Sequence, residues 1–131
     1  MKIEHFALNV KDPIAMAAWY VAHMGLNIVR KQDGGTNTHF LGDDSGDVML
    51  EIYNNPPDQV PDYANMNPLL VHLAFVCDNP EEKRAELEAV GASFAEEVRI
   101  QDGSHLVMMR DPWGLSIQLC KRGKKMLRCQ Q

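Results

Sequence analysis

The sequence predicts an α+β protein made of two halves that share one element order: strand, helix, strand, strand, strand. Two observations carry this expectation. The stretches IEHFALNV…VMLEIY and LVHLAFVC…GLSIQLC are alike, and each places one His early and one Glu or Gln late. The punctuation repeats with them. Pro80 follows Pro13 by 67 positions (80 − 13), Asp111 follows Asp44 by 67 (111 − 44), and Gly91 follows Gly25 by 66 (91 − 25). An internal duplication accounts for both.

The elements follow in order. IEHFALNV alternates, with His5, Ala7 and Asn9 on one strand face and Phe6, Leu8 and Val10 on the other. Asp12 then reads as an N-cap and Pro13 as the first helical residue. The helix runs through IAMAAWYVAHM to Gly25, a left-handed terminator. Trp19 and Tyr20 are expected to pack on the sheet, and His23 to complement the helix dipole. LNIVRK, THFLG and DVMLEIY are strands, separated by the turns DGGTN and Asp43-Asp44-Ser45-Gly46.

Residues 54–68 hold four of the seven prolines and no periodicity, so they read as a surface connector, neither strand nor helix. LLVHLAFVC is then a strand, Asn79-Pro80 a second helix start, EEKRAELEAV a helix and Gly91 its end. ASFAEEVRI, SHLVMMR and GLSIQLC complete the second half, with Asp111-Pro112-Trp113-Gly114 as the last turn. Residues 1–131 thus form a single domain, with modules at about 1–53 and 70–120 joined by the Pro-rich linker 54–69.

With 131 residues, the chain is long enough for one real core. A net charge of −5 argues against a general nucleic-acid binder, which shows a basic face. The basic cluster Lys121, Arg122, Lys124, Lys125 and Arg128 reads as a solvated tail. No apolar run approaches the roughly 20 residues that span a bilayer, so no membrane partner is expected. MKIEHFALNV is interrupted by Glu4 and His5 and reads as something other than a signal peptide. Cys77, Cys120 and Cys129 are odd in number and form no close-spaced metal pair, so they read as reduced thiols of a cytoplasmic protein.

The duplication also repeats four potential metal ligands. His72 follows His5 by 67 positions (72 − 5), and Gln118 follows Glu51 by 67 (118 − 51). Each sits on a strand among apolar neighbours, where a carboxylate costs several kcal/mol unless paired or bound to a cation. His39 and His105 lie off this pattern and read as rim or surface residues. Met49, Met108 and Met109 read as core, while Tyr53 and Tyr63 are possible hydrogen-bond donors near the site.

HFALNVKDP, AWYVAHMGL, LEIY, VHLAFVCDNP and RDPWGLSIQL together resemble the vicinal oxygen chelate superfamily over residues 3–120. That superfamily includes glyoxalase I, methylmalonyl-CoA epimerase, extradiol dioxygenases, and fosfomycin- and bleomycin-resistance proteins. The resemblance implies two βαβββ modules whose curved mixed sheets enclose a metal-binding cavity. It implies His5, Glu51, His72 and Gln118 as ligands of a divalent ion: Ni, Co, Zn, Mn or Fe. Such a site suits an enediolate, and the implied activity is that of a glyoxalase-type lyase or isomerase. Its substrate would be a small α-oxo or α-hydroxy carbonyl compound, a class that includes thiol-linked forms. The resemblance also implies a homodimer.

Two departures from the pattern matter. Glyoxalase I and the epimerase carry a glutamate base on the last strand, where this chain has Gln118. The expected base is therefore Glu51, its counterpart in the other half. The glutathione-contacting arginine and asparagine of glyoxalase I correspond to Asn9 and Asn55, so only the asparagine matches. Arg30 or Lys31 could supply the missing charge. Asn9, Asn55 and Tyr53 are the expected substrate contacts. Two alternatives stay open: an Fe(II) extradiol-type dioxygenase using His5, His72 and Glu51, and a non-catalytic drug- or metabolite-binding resistance protein.

Overall fold

The computed structural model describes residues 1–127; Arg128 of the basic cluster and Cys129 lie outside the described residues. The chain divides into two compact units, Met1–Pro61 and Asp62 onward. Each is a helix on an open four-stranded mixed sheet.

In the first unit the elements are β1 (His5–Asn9), α1 (Pro13–Met24), β2 (Asn27–Lys31), β3 (His39–Gly42) and β4 (Met49–Tyr53). The sheet order is β1-β4-β3-β2. First and last strands lie side by side and parallel, whereas β4/β3 and β3/β2 are antiparallel. Strand parity separates two faces. Leu50 and Ile52 of β4 are buried while Met49, Glu51 and Tyr53 stay half-buried. α1 buries Met16, Ala17, Trp19 and Tyr20 and packs on β2, β3 and β4. Each large apolar side chain so covered contributes about 1.5–3 kcal/mol.

Both ends of α1 are as the sequence predicts. The Asp12 carboxylate accepts the Ala15 N–H at 3.1 Å, and Gly25 takes the left-handed conformation with φ 71°. His23 lies edge-on to Trp19, 5.4 Å between ring centroids.

The second unit repeats the plan. A single 3-10 turn, Tyr63–Asn65, precedes β5 (Leu73–Val76), α2 (Pro80–Glu88), β6 (Ser93–Arg99), β7 (His105–Arg110) and β8 (Ser116–Lys121). The order is β5-β8-β7-β6, again with the first and last strands parallel. Asn79 caps α2 reciprocally: its side-chain oxygen accepts the Glu82 N–H at 3.3 Å, and its amide donates to the Glu82 carboxylate at 2.9 Å. Gly91, at φ 103°, lets the Ala92 N–H reach back to the Leu87 carbonyl at 3.0 Å.

Four expectations are corrected. The connector is not wholly irregular, because Tyr63 is buried at the start of its 3-10 turn. His72 lies just before β5 rather than inside it. Lys121 belongs to β8, and Gly123 beyond it donates its N–H to the Ser104 hydroxyl at 3.0 Å, so the basic segment starts as anchored chain. His39 and His105 are not rim residues: they are 5% and 6% exposed. Parity puts them on the helix-side face with Leu41 and with Val107 and Met109, and local acceptors satisfy their rings. His39 Nδ1 meets the Asn37 carbonyl at 2.6 Å, and His105 Nε2 meets Glu97 at 2.9 Å.

The His105 hydrogen bond, helped by Arg99, holds the Glu97 carboxyl below the usual carboxylate range. A lowered folded-state pKa stabilises above the unfolded value, near 4.5, and that contribution is lost as pH falls through the folded one. Glu97→Gln is therefore expected to lower stability modestly above that pH and to change it little at the acid end, where the contribution is already lost, so the acid limb is flatter than in the parent protein; denaturant melts from pH 3 to 7 check it. In the same experiment Asp12→Ala is expected to cost about 1 kcal/mol at every pH above the carboxylate range.

Candidate functional site

Parallel pairing of first and last strands places His5 and Glu51 of the first unit on one face and aligns Ala74 with Gln118 in the second, where His72 precedes the paired residues. In the first unit His5 pairs with Met49 and Ala7 with Glu51. His5 and Glu51 are thus diagonal neighbours, roughly 7–8 Å apart at the backbone and within converging reach of long side chains. The second unit repeats this register. Ala74 pairs with Gln118, 67 positions beyond Ala7 and Glu51 (74 − 7 and 118 − 51).

The histidine tautomers follow from their partners. His5 Nδ1 lies 2.5 Å from the Glu4 carboxylate, and His72 Nδ1 lies 2.9 Å from the Pro68 carbonyl. Neither partner donates, so each Nδ1 is the donor, which leaves Nε2 as the nitrogen available to a metal ion. An imidazole anchored at one nitrogen to a carboxylate or carbonyl is oriented for metal binding through the other.

Glu51 and Gln118 differ in more than charge. Among the described residues no hydrogen bond or ion pair engages the half-buried Glu51 carboxylate. Gln118 Oε1 accepts the Cys120 thiol at 3.1 Å, leaving its second lone pair open. That thiol is protonated, because burial pushes the Cys120 pKa up, as it does for Cys77.

The corresponding rows across the two sheets end on opposite charges, Arg30 in the first unit and Glu96 in the second. Ala7, Glu51, Phe40 and Arg30 form one row in the first unit. Ala74, Gln118, Met108 and Glu96 form its counterpart. Arg30 thus shares the face of Glu51, whereas Lys31 lies on the other face and points its amine towards Asp33 at 3.7 Å. Phe40 sits edge-on to the His5 ring at 6.0 Å.

The expected substrate contacts divide. Tyr53 lies on the Glu51 face and is half-buried. The Asn9 side chain donates to the carbonyls of Pro56 at 2.8 Å and Gln59 at 3.3 Å, and accepts the Asn55 N–H at 2.8 Å. Asn9 and Asn55 therefore hold the connector to β1. Sequence reading did not single out Phe40, Glu96 or Arg110; only strand register, which follows the bulges near Val29 and Ala95, brings the first two into line.

The donor set fits a divalent ion in kind: two oriented imidazoles, an unengaged carboxylate and an amide oxygen. Among the described residues, however, no group of three or more His, Cys, Asp or Glu side chains is gathered to hold a metal. The two cavities described lie elsewhere. One of about 330 Å³ borders Glu4, Gly42 and Met49, and one of about 210 Å³ borders Cys77, Cys120 and Arg122.

A family model described as the Glyoxalase/Bleomycin resistance protein/Dioxygenase superfamily matches residues 2–119. The chain belongs to that superfamily. Among solved structures, a glyoxalase family protein from Enterococcus faecalis is similar at 26% identity and a TM-score of 0.70, covering 92% of this chain and 97% of that one. A lactoylglutathione lyase from Agrobacterium tumefaciens shares 26% identity with a TM-score of 0.64, covering 90% and 91%. An antibiotic binding protein from Streptomyces, at 18% identity and a TM-score of 0.72, covers 93% and 96% and shows the superfamily fold alone. No curated protein sequence matches this chain.

Asn9→Ala removes three connector bonds at once. It is expected to destabilise the protein by about 1–2 kcal/mol and to open residues 55–59 to protease and amide exchange first, as limited proteolysis with mass mapping would show.

Proposed function

We propose that this superfamily member is a divalent-metal-dependent lyase or isomerase of the glyoxalase type. Its substrate is a small α-oxo or α-hydroxy carbonyl compound, with a thiol-linked adduct as the leading form. The observation that carries the reading is the duplicated pair of half-sites, each a histidine held through Nδ1 at or just before the start of the first strand and a Glu or Gln on the last strand beside it. The match to the superfamily and the likeness to a lactoylglutathione lyase support it.

His5, Glu51, His72 and Gln118 would hold the ion, chosen among Ni, Co, Zn, Mn and Fe by geometry and supply. Bound there, it would polarise the substrate carbonyl and stabilise negative charge on its oxygen. The Glu51 carboxylate removes the proton from the carbon beside that carbonyl and returns it to the neighbouring carbon, so the reaction is an isomerisation without net proton change. Gln118 cannot take this role, because its amide accepts no proton at neutral pH. Arg30, on the face of Glu51, supplies a cation for a carboxylate on the thiol-linked part. Tyr53 contributes a phenol on the same face. Exposed apolar side chains at Ile3, Phe6, Leu69 and Leu70 support a homodimer. Among the described residues no helix is long and apolar enough to cross a membrane.

A second reading is a non-catalytic small-molecule binder, favoured by the engagement of Gln118 with Cys120. Metal loading with Ni²⁺ or Co²⁺ followed by assay on the hemithioacetal of methylglyoxal separates the two. The proposal expects turnover that chelation abolishes. Glu51→Gln is expected to lower that turnover about 10²–10⁴-fold while the protein still binds its ion. Unchanged turnover would remove Glu51 from the mechanism, and binding without turnover in the parent protein would favour the second reading.

A further inference from the structure

Arg110 carries a positive charge, yet its hydrogen bonds among the described residues are all to neutral oxygens. Its Nη1 donates to the carbonyls of Tyr63 at 2.8 Å and Gly114 at 3.1 Å and lies 3.4 Å from the Ser116 hydroxyl; its Nη2 donates to the Met66 carbonyl at 2.8 Å. One planar fork thus ties β7, the start of β8 and the segment entering β5. All three lie in the second unit.

Those attachments lead directly to the two candidate ligands of that unit. On one side Ser116 stands two residues before Gln118 on the same strand face. On the other, Met66 precedes a turn in which the Leu70 N–H meets the Asn67 carbonyl at 3.0 Å and the Leu69 N–H meets the Asn67 side chain at 2.9 Å. Inside that turn is Pro68, whose carbonyl holds His72 Nδ1. His72 precedes β5, so the strand ladder does not fix it. The connector does.

A second contact defines the same seat. Gly114 has φ 89°, and a Cβ there would stand 2.5 Å from the Ala64 Cβ and 2.7 Å from the Ala64 nitrogen. Only glycine lets the 3-10 turn lie directly on the Asp111–Gly114 turn. Asp111 in turn accepts the Trp113 and Leu115 N–H groups, both at 2.9 Å, which fixes the turn on which the segment rests.

We propose that Arg110, with Gly114 beneath it, is a positioning residue that sets the orientation of His72 relative to Gln118 through the connector segment 63–68. The consequence for metal binding rests on the function proposed above; the consequence for the His72 ring does not. A guanidinium is suited to this because one rigid group reaches the carbonyls of both Tyr63 and Met66, three positions apart (66 − 63), which an ammonium cannot.

The sign of the effect on metal affinity separates this role from simple electrostatics. Removing a cation on the face of Gln118 would relieve Coulomb repulsion and so tighten binding of Co²⁺. Loss of the latch would loosen it. The test measures His72 imidazole nitrogen shifts by NMR without metal, and Co²⁺ affinity by calorimetry, for Arg110→Gln, Arg110→Lys and Gly114→Ala. The proposal expects His72 to lose its single Nδ1–H tautomer in all three variants while the His5 ring, anchored on Glu4, keeps its own. It expects Co²⁺ affinity to fall about 10–100-fold in each, including the charge-retaining lysine variant. An unchanged His72 tautomer, or tighter Co²⁺ binding in Arg110→Gln, would overturn it. A tautomer change in a protein that binds no Co²⁺ even as wild type would sustain the latch and defeat the metal reading instead.

Discussion

The parallel pairing of the first and last strands in each unit is the constraint on which the rest depends. It pairs residues 44 positions apart, Ala7 with Glu51 and Ala74 with Gln118 (51 − 7 and 118 − 74), and fixes which strand side chains share a face. A slip of one residue would turn Glu51 towards α1 and Ile52 away from it. Leu50 and Ile52 beneath α1, and Ile117 and Leu119 beneath α2, prevent that slip, since either unit would then expose its most apolar face. Core packing and candidate chemistry are therefore two faces of one register.

The duplication is geometric but not electrostatic. Corresponding rows place Glu51 and Arg30 in one unit and Gln118 and Glu96 in the other. The hydrogen bonding diverges too: Glu51 is unengaged among the described residues, while Gln118 accepts a thiol. Under the proposed function, this asymmetry would give proton transfer to the first half and positioning to the second. The end of the connector that lies in the second unit serves one histidine of the pair. His72, outside its strand, needs an external acceptor, whereas His5 has a carboxylate on the preceding residue.

Much of this was legible in the sequence for physical reasons. Asp12-Pro13 and Asn79-Pro80 act locally, so the helix starts could be read without tertiary information. Alternation in HFALN and MLEIY gave the faces directly. What could not be read depends on contacts distant along the chain. His39 and His105 alternate with apolar residues but were not recognised as buried, because their acceptors lie outside the hydrophobic pattern. Arg110 lies at the end of an apolar strand and resembles any solvated terminal charge until Tyr63 and Met66, 47 and 44 positions earlier, reach it. Asn9 was read as a substrate contact from resemblance, and its bonds to the connector follow from the fold.

The central claim is that the two half-chains each contribute a histidine to one divalent ion. X-ray absorption on the Co²⁺-loaded protein tests it most directly, because imidazole rings give outer-shell scattering that can be counted. The account predicts two imidazoles with the remaining first-shell atoms all oxygen. A sulfur ligand, which would implicate Cys77 or Cys120, or scattering from a single imidazole would contradict it.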